Sequence, residues 1–142
     1  MKEHFEEYDE LFKDLESLSI EIQIKKEKLY SLTATSYDDV LKTKSTKWTG
    51  YEHQIDEIVE VENRYKAKRE EIKLLRDKHQ QEIDMVEDKR CRYVLERFYL
   101  DHMSVGEIAS TLYVSERHIK RIKAVAVTEF MLKLKNVTNC HQ

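Results

Sequence analysis

Between Ser115 and Lys123 the sequence SERHIKRIK sets five basic or histidine side chains, Arg117, His118, Lys120, Arg121 and Lys123, beside the Ser115 hydroxyl and a lone carboxylate, Glu116. Ile119 and Ile122 break the run at three-residue spacing, so a helix here turns one apolar face inward and offers its charges on the others. Such a surface recognises a polyanion; it does not make or break bonds. Arg117 and Arg121, one turn apart, present guanidinium forks suited to guanine edges or phosphates. Lys120, Lys123 and the Ser115 hydroxyl suit phosphates, and the helix N-terminus itself favours an anion. Glu116 has two readings, an acceptor for a cytosine amino group or a favourable charge at the helix start.

These side chains need a rigid support. Ser115 reads as the N-cap of their helix. Before it, Ser104-Val105-Gly106-Glu107 forms a capping box that starts another helix, with Ile108, small Ala109 and Leu112 following and Tyr113-Val114 as the turn. A first helix over about 88–99 offers Tyr93, Val94, Phe98 and Leu100 to a core, and residues 100–103 connect it to the second. Three short helices with this spacing make a helix-turn-helix, whose last helix enters the major groove of duplex DNA. A three-helix bundle with a solvated basic face is the plainer alternative.

Upstream, Phe5, Tyr8, Phe12, Leu15, Leu18, Ile22, Leu29 and Leu32 stripe one face of a helix expected over about 2–32. The Thr-, Ser- and Lys-rich stretch of about 33–50, closed by Gly50, reads as a polar loop that Tyr37 and Trp48 pin down. Then Tyr51, Ile58, Tyr65, Ile72, His79 and Val86 recur every seven residues, with Ile55, Leu75 and Ile83 between them, a coiled-coil-like period. His79 in this column has two readings, a pH-sensitive or metal-binding residue or, more plainly, a tolerated seam residue. A helix this long needs a partner, either the first helix folded back on it or a second copy of the chain.

With no Pro, two Gly and 37% charged residues in 142, the chain is expected to be all-α: a long N-terminal helical hairpin or coiled coil, then the helix-turn-helix. The expected divisions are 1–87, 88–135 and a short tail at 136–142. The net charge of -3 averages unlike halves: residues 1–88 carry 15 Lys and Arg against 23 Asp and Glu, residues 89–142 carry 10 against 5. The basic half is the one to search for DNA contacts. The apolar run Val125, Val127, Phe130, Met131 and Leu134 reads as core against the long helix, or as a surface for a second subunit or a polymerase. No apolar stretch is long enough to span a bilayer and the acidic start lacks a signal pattern, so a cytoplasmic protein without membrane partners is expected. Cys91 and Cys140 have no zinc-ligand spacing, and neither metal nor cofactor is expected. Phosphate-loop, serine-hydrolase and zinc-protease motifs are absent, and Asp38 and Asp39 read as loop residues, so no enzyme is expected.

The segment VLERFYLDHMSVGEIASTLYVSERHIKRIKAVAV resembles the fourth conserved region of bacterial sigma factors, over about 45 residues. The longer layout resembles the late-transcription activators of Gram-positive phages, of the ArpU and RinA type. The resemblance implies a phage activator that binds promoter-region DNA and acts with host RNA polymerase, with Arg117, His118, Lys120 and Arg121 on the recognition helix and Ser115 at its cap. It departs from the pattern at the turn, where Gly is often found and Tyr113 stands here. Residues 1–88 match no other sigma module. Homodimerisation is compatible with this reading. Two other classes share the ingredients: a small terminase subunit, which packages DNA as a ring, and an antirepressor or polymerase-binding protein without DNA affinity.

Overall fold

The three- and four-residue spacings become two long helices. In the computed structural model, which describes residues 1–35 and 48–140, α1 covers Glu6–Thr35 and α2 covers Trp48–Asp84. Each runs about three residues into the stretch read as loop. Gly50 falls in the first turn of α2, where one glycine costs only about 1 kcal/mol and does not stop a helix. The pinning role expected of Tyr37 and Trp48, and the reading of Asp38 and Asp39 as loop residues, lie outside what is described.

The two long helices pack as a hairpin, and the chain as a whole forms two compact units, Tyr8–Lys73 and Met1–Glu7 with Leu74–Gln142. In the first unit Tyr8, Ile58, Val61 and Ile72 are buried, while Phe12, Leu15, Leu18, Ile22, Leu29 and Tyr65 are only half-buried. Ion pairs cross between the helices, Lys26 to Glu62 at 2.9 Å, Lys68 to Asp14 at 3.8 Å and Lys25 to Glu57 at 3.9 Å. The numbers rise along α1 as they fall along α2, which makes the pairing antiparallel. The seven-residue column holds throughout: Tyr51 and Tyr65 are half-buried, Ile58, Ile72, His79 and Val86 buried. Ile55, placed beside that column, is exposed instead, and Val61 takes the inward position.

The second unit carries the remaining helices. Asp88 caps α3 (Lys89–Leu95), its carboxylate accepting from the Arg90 N–H at 2.9 Å. A single wide turn at Glu96–Leu100 follows, in which the Asp101 N–H donates to the Glu96 carbonyl, five residues back, at 3.0 Å. Such π-type turns rotate what comes after them. α2 braces this turn: Arg76 donates to Asp101 at 2.7 Å and Gln80 to Glu96 at 2.6 Å. Asp101 also accepts from Arg97. α4 (Val105–Leu112) and α5 (Glu116–Cys140) complete the unit, so residues 136–140, set apart in the sequence as a tail, continue α5.

Val94, Ile108, Ala109 and Ile119 form the core where α3, α4 and α5 meet, with Tyr93, Phe98, Met103, Val105 and Ile122 packed around it. Ala109 permits the close crossing expected of it. Cys91 and Leu95 are also buried, and burial pushes the Cys91 thiol up, out of easy reactivity. The apolar run on α5 divides: Phe130 is fully buried, stacked on Phe5 with ring centroids 5.8 Å apart, whereas Val125 and Met131 are exposed. Phe5, from a short 3-10 turn at Glu3–Phe5, also stacks on Tyr99 at 4.7 Å. Among the described residues no helix is long and apolar enough to cross a membrane.

Candidate nucleic-acid interface

The presenting helix begins sharply. The Ser115 hydroxyl accepts from the His118 N–H at 3.2 Å and its carbonyl from the Ile119 N–H at 3.2 Å, the N-cap pattern that satisfies donors a helix start leaves open. α4 is capped likewise, the Ser104 hydroxyl accepting from the Glu107 N–H at 3.1 Å. Its far end closes with the Val114 N–H on the Ala109 carbonyl and the Tyr113 N–H on that of Ser110, while Tyr113 sits at φ 57°, ψ 40°. This Schellman closure demands a left-handed residue, normally glycine. Tyr113 makes the required turn at a steric cost, and its ring is 95% exposed.

Caps and core together fix which way α5 faces. Ile119 is fully buried and Ile122 half-buried, leaving Arg117, His118, Lys120 and Arg121 exposed. Ser115, Arg117, His118 and Arg121 line one shallow, open cleft with Val114. Two expected residues stand apart. The Glu116 carboxylate lies over the first turn of α4, close enough that a Cβ on Gly106 would meet it at 3.0 Å. That position suits a negative charge at the start of α4, a different helix start from the one the sequence suggested, that of α5 itself. Lys123 is half-buried, its ammonium 3.6 Å from the centroid of the Phe98 ring, and burial pushes its pKa down. Here the lysine acts as a packing cation over an aromatic face.

Two basic residues that the recognition-helix pattern does not signal join the surface. Lys89 and Arg90, at the start of α3, line a groove with Tyr93, Leu112, Val114 and His118. Only the crossing of α3 with α5 brings them near His118, so no local spacing could have announced them. Leu112 is 39% exposed on the same groove. Comparison with protein-family models, curated proteins and solved structures finds no match for this chain.

Proposed function

We propose that α3–α5 bind double-stranded DNA through the start of α5, and that the protein is a transcription regulator, a phage late-gene activator acting with host RNA polymerase, rather than an enzyme. The observation that carries the reading is the capped, exposed start of α5, where Ser115, Arg117, His118 and Arg121 share one cleft while Ile119 is fixed in the core. Arg117 and Arg121 are assigned the base edges; Lys120, Ser115 and the flanking Lys89 and Arg90 are assigned phosphates. Lys123 is assigned the support of this face, not direct contact. Promoter-region DNA and activation rest on the resemblance to sigma region four and to the ArpU and RinA type of activator.

The test is selection of bound fragments from the source genome, with the Arg117→Ala/Arg121→Ala double variant alongside. One site should be enriched upstream of an operon and lost in the variant. Each single substitution should weaken specific binding by ~1–3 kcal/mol with the fold intact, and affinity should fall steeply with salt as phosphate contacts release counterions. Equal enrichment by the double variant would overturn the assignment of α5.

A further inference from the structure

Away from the basic face, three side chains of known metal-binding type converge in the unit that carries α3–α5. On α2, His79 and Glu82 are three residues apart and therefore on one helix face. His79 Nδ1 and Glu82 Oε1 are 2.7 Å apart. From the N-terminal turn, His4 Nε2 reaches both oxygens of the same carboxylate at 3.0 Å. One nitrogen from each imidazole and one carboxylate oxygen all lie within 4.8 Å of one another. We propose that His4, His79 and Glu82 form a binding site for a divalent cation of the Zn2+ class, which clasps the N-terminal turn to the end of α2.

The chemistry favours that class of ion. Two imidazole nitrogens and a carboxylate oxygen are a familiar zinc donor set, with bonds of about 2.0–2.2 Å. Tetrahedral bonds of that length put donor atoms about 3.3 Å apart, so to admit the ion the two nitrogen–oxygen distances, 2.7 and 3.0 Å, must open and the third pair, within 4.8 Å, must come to the same separation. His79 is 3% exposed, which shields its side of the trio from bulk water. The side chain of His4 is 30% exposed, which leaves a solvent side where water can take the fourth position. The other walls are aromatic: the Phe5 ring lies 4.6 Å from His79, and Phe130 5.7 Å from His4. An apolar surround of this kind strengthens the ion's attraction to the carboxylate.

Protons compete with a metal ion for imidazole nitrogens, so binding of this kind weakens in acid. It also joins residues 78 positions apart in the chain, and so stabilises the folded unit by an amount that grows with the logarithm of metal concentration.

The experiment uses the full, untagged chain, stripped with chelator and titrated with Zn2+ by calorimetry and with Co2+ by visible absorption. His4→Ala is the first variant because His4 is partly exposed and its loss leaves α2 intact; Glu82→Gln is the second, since it keeps the shape and removes the charge. One equivalent of Zn2+, a four-coordinate Co2+ spectrum, a higher melting midpoint with Zn2+, and affinity at least about 100-fold weaker in both variants are the expected results. No stoichiometric uptake by the parent chain, or uptake undiminished in either variant, would overturn the site. DNA binding by α5 is a separate readout, and neither outcome bears on it.

Discussion

The hairpin unit and the unit that carries α3–α5 are built from the same kinds of residue but held together differently. Along Tyr8–Lys73 the inward residues are mostly half-buried and the charges that cross between helices are largely solvent-exposed pairs. Exposed pairs of this type contribute little, typically below about 1 kcal/mol. Around α3–α5, by contrast, Val94, Leu95, Leu100, Ile108 and Ile119 are at most 1% exposed, three helix starts are closed by specific hydrogen bonds, and a carboxylate receives two arginines. Rigidity is concentrated where a side chain must be aimed. On the proposed DNA-binding reading, a surface that contacts the edges of bases tolerates little error in direction, whereas the hairpin needs only to stay folded.

The strongest test of that contrast is paired cavity formation. Ile119→Ala removes a fully buried side chain from the crossing of α4 and α5, and Ile58→Ala removes one from the hairpin that is 7% exposed between half-buried neighbours. Large-to-small changes of this kind cost ~2–5 kcal/mol according to how far the surroundings can collapse. Ile119→Ala is expected near the top of that range and Ile58→Ala near the bottom, by denaturant unfolding. Equal losses would mean that the hairpin is packed as tightly as the unit that carries α3–α5, and the contrast would fail.

A smaller effect singles out the brace beneath the wide turn. Burial alone would raise the pKa of Asp101, but hydrogen bonds from Arg76 and Arg97 outweigh it and hold the carboxyl below its ordinary value. A folded pKa below the unfolded value of about 3.9 means that the contribution is complete above about pH 5 and is lost as pH falls through the depressed folded value. Asp101→Asn should therefore cost about 1–2 kcal/mol at neutral pH, a figure kept modest because the Arg76 side chain is 41% exposed. The gap between parent and variant should close in acid. Stability curves against pH that run parallel for the two proteins would remove Asp101 from the brace.

What the sequence disclosed and what it hid divide along the same line. Most of what one helix carries by itself was legible: the seven-residue column through Ile58, Ile72 and Val86, the caps at Ser104 and Ser115, the inward Ile119, with Ile55 and Val61 as exceptions. Hidden were the places where distant elements meet. His4 and Phe5 continue the α1 stripe by spacing, yet they pack with His79, Tyr99 and Phe130, because periodicity reports which face turns inward and never what it turns toward. Lys123 follows the same rule. Its spacing suits an outward phosphate contact, but Phe98 lies on α3's extension, not on α5, and so a local reading cannot foresee the ring beneath its ammonium. The wide turn at Glu96–Leu100 has no Pro, Gly or other breaker to announce it.

The smallest expected effect concerns the one strained residue between α4 and α5. Tyr113 holds a left-handed conformation that costs an ordinary residue roughly 1–2 kcal/mol, and at 95% exposure its ring recovers almost none of it by burial. Tyr113→Gly removes the steric cost but adds freedom to the unfolded chain, about 0.5–1 kcal/mol in the other direction. The net should be a gain of about 0.5 kcal/mol, read as a slightly higher unfolding midpoint, with the bond from the Val114 N–H to the Ala109 carbonyl unchanged. A loss of stability would show that the tyrosine ring contributes contacts that its exposure conceals. A gain in stability with weaker DNA binding would instead give the ring a place on the basic face, since Tyr113 stands two residues before Ser115, and strain kept in a rigid unit is most easily understood where the strained group has work to do.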